Sequence, residues 1–374
     1  MTSRERVLAT LGGHAVDRVA SDFRAEPEVF LKLQRQLGLP DAEAVRRWAK
    51  SDFRDLTSIL NTGGYGGYSS FGWRDRDLGG GVQEDLWGVR RKKVEYDGGA
   101  YVDIVRYPLR GASVDDVRQY SFPDPRRLYD FRDLPARVKA INGPDVYFTL
   151  MEGESLFDRC WALRGMEDFM MDLMDDYEIA NILVEGNARF FRDYVYQILE
   201  AAQGCVDAIG LFNDLGTQDG LMISPTLYRR FFKDRQRELI AMIHGFGVKV
   251  FYHSCGDIKP IIEDLIEIGV DILDPLQLKA MRLTPAELGA QVNGRITLHG
   301  GLDTQDLLVN GGPDQVKQAV RELKSELGRE GRYILSCSHY LQVDVSFPNI
   351  EALVSEVNSF PGELEHQNRQ WPRS

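Results

Sequence analysis

From Val206 onward the chain repeats one unit, a short apolar run that ends in polar residues and is followed by a segment of helical periodicity. Val206 to Asp214 (VDAIGLFND) is the first run. Ser224-Pro225 then opens a long helix with apolar positions at Leu227, Phe231, Leu239 and Ile243, and Gly245 and Gly247 close it. Val248 to His253 (VKVFYH) is the second run, and after it Ile258, Ile261, Ile262, Leu265 and Ile268 recur at i, i+3, i+4, i+7 spacing. Val270 to Asp274, Arg295 to His299 and Arg332 to Cys337 continue the alternation, the last after a helix with Val316, Val320, Leu323 and Leu327 on one stripe. Continuously apolar runs separated by amphipathic helices specify a parallel sheet covered on its outer face, either doubly wound or closed. The polar run ends, Asp214, His253 with Cys255, Gln277, Asp303, and Cys337 with His339, favour a (β/α)8 barrel, where such ends converge on one mouth.

The amino-terminal third carries a weaker pattern. Val146 to Met151 reads as a strand that ends in Glu152-Gly153-Glu154, and Asn61 to Gly81 is rich in Gly and Tyr, loop-like, and open to use as a lid over the mouth. No Pro- or Ser-rich linker divides the 374 residues, so the expectation is one domain. In it, residues 1–110 supply cap elements and the first barrel units, and 140–360 the barrel core. The net charge of −12 argues against a nucleic-acid surface. No run approaches 18 apolar residues and the first residues lack a leader-like apolar core, so a cytoplasmic, non-membrane protein is expected. Four cysteines in a chain of this length do not make a disulfide framework.

The cysteines divide by position. Cys160 and Cys205 fall in helix-period or pre-strand segments and read as core residues. In His253-Ser254-Cys255 the two metal-competent side chains stand at i and i+2 of an extended segment, which places both on one side. Cys337 ends a later strand, and a barrel brings such ends together with no local motif. Taken singly, each of these three is better explained as a core residue; together, one imidazole and two thiolates suit Zn2+ with a position left open. Asp214 has three open roles: ligand, base, or cap of the next turn. Glu152 is a candidate fourth ligand or general base, and His339 a candidate supporting residue.

The order and spacing of EDLWGV (Glu84 to Val89), YPLRG (Tyr107 to Gly111), MISPTLYRRFF (Met222 to Phe232), FYHSCGDI (Phe251 to Ile258), GVDILDPLQ (Gly269 to Gln277), HGGLDT (His299 to Thr304) and VSFPNIEALV (Val345 to Val354) carry a further inference. Over nearly its whole length the chain resembles the uroporphyrinogen decarboxylase superfamily, whose members are (β/α)8 barrels. In Ser21 to Phe30 only Arg24 is left of the arginine-rich segment typical of the decarboxylase proper, so that activity is not the one expected. In its site residues the chain resembles the zinc-dependent corrinoid methyltransferases, with His253 and Cys255 as the H-x-C motif and Cys337 as the distant ligand. Ser338-His339 departs from them toward the decarboxylase side.

That resemblance implies methyl transfer between a corrinoid, free as methylcobalamin or held on a small corrinoid-binding protein, and a thiol or tetrahydrofolate acceptor. Asp214, Glu152 and His339 are then the proton-handling candidates, and Gln277, Asp303 and Tyr65 the cofactor-contacting ones, with a homodimer as the assembly to test for. Two alternatives stand beside it: a metal-free decarboxylase acting on another substrate, and a non-catalytic corrinoid- or tetrapyrrole-binding protein.

Overall fold

The computed structural model describes residues 1–60, 75–96, 99–143, 145–175, 177–328 and 331–357. Of the segment Asn61 to Gly81, expected as a loop or lid, residues 61–74 with Tyr65 lie outside the described residues, and Arg76–Gly79 form a strand instead of a loop.

Eight strands form the barrel: β1 (Ala20–Ser21), β2 (Phe53–Asp55), β7 (Phe148–Glu154), β8 (Ala208–Phe212), β9 (Lys249–His253), β10 (Ile272–Leu276), β11 (Thr297–Leu302) and β12 (Tyr333–Cys337). They pair in parallel in the order β1-β12-β11-β10-β9-β8-β7-β2. A separate antiparallel sheet is made of β3 (Arg76–Gly79), β4 (Val82–Glu84), β5 (Arg90–Tyr96) and β6 (Gly99–Arg106). It is anchored through Trp87, whose ring lies 4.6 Å from Phe190 on the long helix Tyr177–Ala202, and through Asp85, which accepts from Arg159 at 2.8 Å.

The interior follows from strand alternation, because successive side chains of a strand face opposite sides. Ala20, Phe53, Phe148, Leu150, Ala208, Phe251, Ile272 and Ile334 fill the lumen, and their neighbours in sequence join the larger core between strands and helices. The floor is plugged by helix α1 (Ser3–Leu11), started by a Thr2–Glu5 capping box, which sends Val7 and Leu11 into the same cluster. Among the described residues, three further helices precede the small sheet: α2 (Pro27–Leu37), α3 (Ala42–Trp48) and α4 (Leu56–Leu60).

β1 and β2 share no ladder, and the seam between them is closed by one backbone hydrogen bond and by side chains. The Asp52 N–H donates to the Ser21 carbonyl at 2.8 Å, the Ser21 N–H donates to Asp52 Oδ2 at 3.0 Å, and the Phe23 N–H donates to Ser51 Oγ at 3.1 Å. Asp52 is fully buried and also accepts from Arg6 Nη1 at 2.6 Å and from both terminal nitrogens of Arg18 at 2.8 Å. One carboxylate thus ties the floor helix to both strands at the seam. Removing one partner of a buried ion pair leaves uncompensated charge, typically at a cost of about 3–5 kcal/mol. Asp52→Ala is expected to lose stability of that order in urea titration, whereas Arg47→Ala, whose ion pairs with Glu43 and Asp145 are largely exposed, should lose less than about 1 kcal/mol.

Candidate metal centre and active site

Two loops at the barrel mouth touch because glycines let them. A Cβ on Gly216, after β8, would sit 2.4 Å from the Cys255 carbonyl oxygen; one on Gly256, after β9, would sit 2.4–2.5 Å from backbone atoms of Gly216 and Thr217. Gly256 also has φ +82°, a conformation unfavourable for other residues. The contact carries Asp214 onto the loop after His253: Asp214 Oδ1 accepts the Cys255 N–H at 3.0 Å.

The result is a cluster of three potential ligand atoms. Cys255 Sγ lies 3.5 Å from His253 Nε2, Asp214 Oδ1 lies 3.7 Å from the same nitrogen, and all three atoms fall within 4.8 Å of one another. Among the described residues this is the one such group of three or more His, Cys, Asp or Glu side chains. His253 is buried, Cys255 half-buried and Asp214 exposed, so the cluster is held from below and open to the mouth.

His253 is fixed from two sides. Its ring stacks on Phe212, with centroids 5.1 Å apart, and its Nδ1 lies 2.5 Å from Asp274 Oδ2. Register explains both contacts, since His253 is paired with Phe212 on β8 and with Asp274 on β10. A carboxylate on Nδ1 selects the tautomer with a bare Nε2, which is the nitrogen that faces Cys255 and Asp214. Asp274 is fully buried, and it also accepts from Arg24 Nη1 at 2.7 Å and contacts His299 Nδ1 at 2.6 Å. Burial works against its charge, but Arg24, His299 and His253 outweigh it and hold the carboxyl well below its usual range. His299 in turn reaches Asp22 at 3.2 Å; burial opposes its protonation, and Asp274 and Asp22 reverse that, so its pKa is raised. The Cys255 thiol is pushed up, by burial first and then by Asp214 and Asp274. A cation placed among these three atoms would relieve that repulsion, and an imidazole nitrogen, a sulfur and a carboxylate oxygen form a donor set that Zn2+ accepts.

The remaining expected residues fall in different places. Cys337 is outside the cluster. Ile334 occupies the lumen while Tyr333, Leu335 and Cys337 share the outer core, and burial followed by Asp22 pushes the Cys337 thiol up to about 12. The expectation treated every strand end as facing the mouth, whereas alternation along β12 gives Cys337 the opposite side from Ile334. Gln277 is a strut: its Oε1 accepts from the Gly256 N–H at 3.0 Å and from Gln218 at 2.9 Å, and its Nε2 donates to the Ser338 carbonyl at 3.3 Å. Asp303 pairs with Lys279 at 2.6 Å and accepts the N–H groups of Gln305 and Leu307. His339 is exposed at the rim beside Tyr340, with ring centroids 5.7 Å apart. Glu152 is half-buried, and its N–H donates to Thr57 Oγ1 at 2.8 Å. Cys160 is buried and Cys205 half-buried against the core, and both are free thiols.

Sequence reasoning passed over four polar side chains beneath the cluster: Asp22, Asp274, His299 and Glu154. Their signal was a charged or imidazole side chain within an otherwise apolar run, as in ILDPL and TLHGG. Glu154 is almost wholly buried; it accepts from Asn213 Nδ2 and from the Leu156 N–H, both at 2.7 Å. Asn213 immediately precedes Asp214. Asp158, which accepts the Asp214 N–H at 3.0 Å, is raised to about 6 by burial and then by Asp214.

Burial pushes the Glu154 carboxyl up to about 8, so the folded chain favours its protonated form. With the unfolded value near 4.3, this group imposes no penalty at low pH and lowers stability as pH rises toward 8, by up to about 1.4 kcal/mol per pH unit. Glu154→Gln should therefore lose less stability than wild type between pH 5 and pH 8 in paired thermal or urea titrations. Parallel curves for the two proteins would contradict this assignment.

The sequence profile of the uroporphyrinogen decarboxylase (URO-D) family matches residues 148–360, which contain eight of the residues expected at the site and six of the eight barrel strands. No curated protein matches the sequence. Among solved structures, a methyltransferase from Methanosarcina mazei superposes with a TM-score of 0.68 at 17% identity, covering 96% of this chain and 98% of its own; this likeness establishes the shared fold. A GH10 endoxylanase retrieved from a sugarcane soil metagenome (TM-score 0.39, 10% identity, 63% of this chain and 85% of its own) and a 3-keto-D-glucoside 4-epimerase from E. coli (0.37, 12%, 62% and 88%) are more distant.

Proposed function

The chain belongs to the uroporphyrinogen decarboxylase family, and from that premise we propose that it is a methyltransferase that moves a methyl group between a corrinoid and a thiol or tetrahydrofolate acceptor. His253, Cys255 and Asp214 would hold a divalent ion of the zinc type. The observation that carries this reading is the orientation of His253, whose Nδ1 is engaged by Asp274 and whose Nε2 faces a sulfur and a carboxylate oxygen. The similarity in fold to the Methanosarcina mazei methyltransferase supports the reaction class. A small corrinoid-binding protein is the proposed partner.

When bound, such an ion lowers the pKa of a coordinated thiol and supplies a thiolate nucleophile at neutral pH. The chain's own residues do the rest. Asp274, neutralised by Arg24 and His299, keeps His253 in one tautomer and one orientation. Phe212 closes one face of that ring to water. Gln277 braces the Cys255 loop against the strand end that bears Ser338, which keeps the two sides of the mouth at a set separation. Asp214, exposed toward the mouth, is also placed to accept a proton from an incoming acceptor group.

Metal analysis is the first test. Wild type should purify with about one equivalent of zinc, which His253→Ala and Cys255→Ala should lose; Asp274→Asn should weaken binding about 10–100-fold, as loss of a supporting carboxylate does elsewhere. Cys337→Ala should keep the ion and Asp214→Ala should not; the opposite outcome would return the third ligand to Cys337. Methylcobalamin mixed with a thiol or tetrahydrofolate should then change its cobalt spectrum with wild type, and at a rate lower by on the order of a hundredfold or more with Cys255→Ala. A zinc-free wild type with Cys255→Ala fully active would instead favour a metal-free reaction.

A further inference from the structure

Beside the cluster, between β1, β2 and the helices α2 and α3, lies a cavity of about 410 Å3. That is within the range of small-molecule sites, roughly 300–1,000 Å3. Phe23, Phe30, Phe53 and Leu150 make up much of its apolar wall. Arg24 forms the partition with the cluster: one terminal nitrogen reaches Asp274, which holds His253, and the other donates to Tyr340 Oη at 3.1 Å.

The polar groups of this wall are unequally compensated. Asp22 is engaged by Ser51 at 3.1 Å and by His299 at 3.2 Å, and Arg24 by Asp274. Asp55 accepts the Thr57 and Ser58 N–H groups at 2.9 and 3.3 Å. Burial raises the Asp55 carboxyl, and burial followed by Glu28 raises that of Glu26, so protonation can relieve either one. Arg46 has no such outlet, because a guanidinium stays charged. It is half-buried, its central carbon lies 4.7 Å from the centre of the Phe30 ring, and although Glu43, Asp55 and Asp22 attract it through space, among the described residues no side chain hydrogen-bonds to it. A partly desolvated permanent cation over an aromatic wall is what a planar anion with an apolar body complements.

We propose that this cavity binds a small carboxylate with a ring-sized apolar body, its carboxylate paired with Arg46 and its body among Phe23, Phe30 and Phe53. In the methyl transfer proposed above this ligand is the acceptor, a thiol whose apolar body also bears a carboxylate. Its place rests on that reading, and its binding does not.

Calorimetry with two neutral-pH probes of equal shape tests the proposal on the full chain as purified. 2-Naphthoate should bind wild type at least tenfold more tightly than 2-naphthamide. Arg46→Gln and Arg46→Met, the second keeping an apolar stem over Phe30, should lose that margin while retaining the affinity for the amide. Equal affinities of wild type for the two probes, no detectable heat from either at millimolar concentration, or an Arg46→Gln protein that still prefers the carboxylate tenfold would each overturn it. The wild-type comparison decides even where a variant fails to fold. A protein that discriminates the probes yet never changes the cobalt spectrum keeps this site and loses the reaction; one that transfers methyl groups but binds both probes alike keeps the reaction and loses this site.

Discussion

One carboxylate, Asp274, organises the mouth of the barrel. It sits without solvent exposure between a guanidinium and two imidazoles, at 2.7, 2.5 and 2.6 Å. A buried charge is tolerated when its partners satisfy it fully, and a network of this kind holds each member in one place. Arg24 comes from the amino-terminal side, 250 positions earlier in the chain, and His299 from the next strand, so the interaction joins β10 to the start of the barrel as well as to β9 and β11. The orientation of His253 and the partition of the neighbouring cavity both follow from it.

Asp52 performs a similar task at the other end of the lumen, with Arg6 and Arg18 as partners and a purely structural result. The two differ in what they leave over. Around Asp52 the charged groups and the Ser21 N–H satisfy one another and close the seam. Around Asp274 one ring nitrogen of His253 is left unpaired by that carboxylate and is directed at Cys255 and Asp214. The proposed chemistry would therefore use a polar network that is incompletely satisfied on the side open to the mouth.

The glycines at 216 and 256 are the complement of that rigidity. Side chains at either position would drive the two loops apart by the width of a Cβ contact, and the carboxylate of Asp214 would leave the neighbourhood of the imidazole. Their role is legible only once it is known which loops face each other, because each glycine alone reads as an ordinary turn residue.

Local periodicity determined much of this protein. The strands from β8 to β12 and the helices between them follow from patterns a few residues long, and the polar residue at each run end marks the face where a site forms. β1 and β2, of two and three residues, are too short to carry a period, and they enter the barrel through Asp52, Ser21 and their partners. His253 and Cys255 were legible as a pair because i and i+2 fall on the same side of an extended chain. The third member was not: strand register and alternation turn Cys337 away from the lumen side, while contact between two glycine loops brings in Asp214. Residue type and spacing act along the chain, whereas the grouping of Asp214 with His253 and Cys255, the imidazole nitrogen that Asp274 leaves bare and the place of Arg46 beside Phe30 arise from groups far apart in sequence, whose distances only the closed barrel sets.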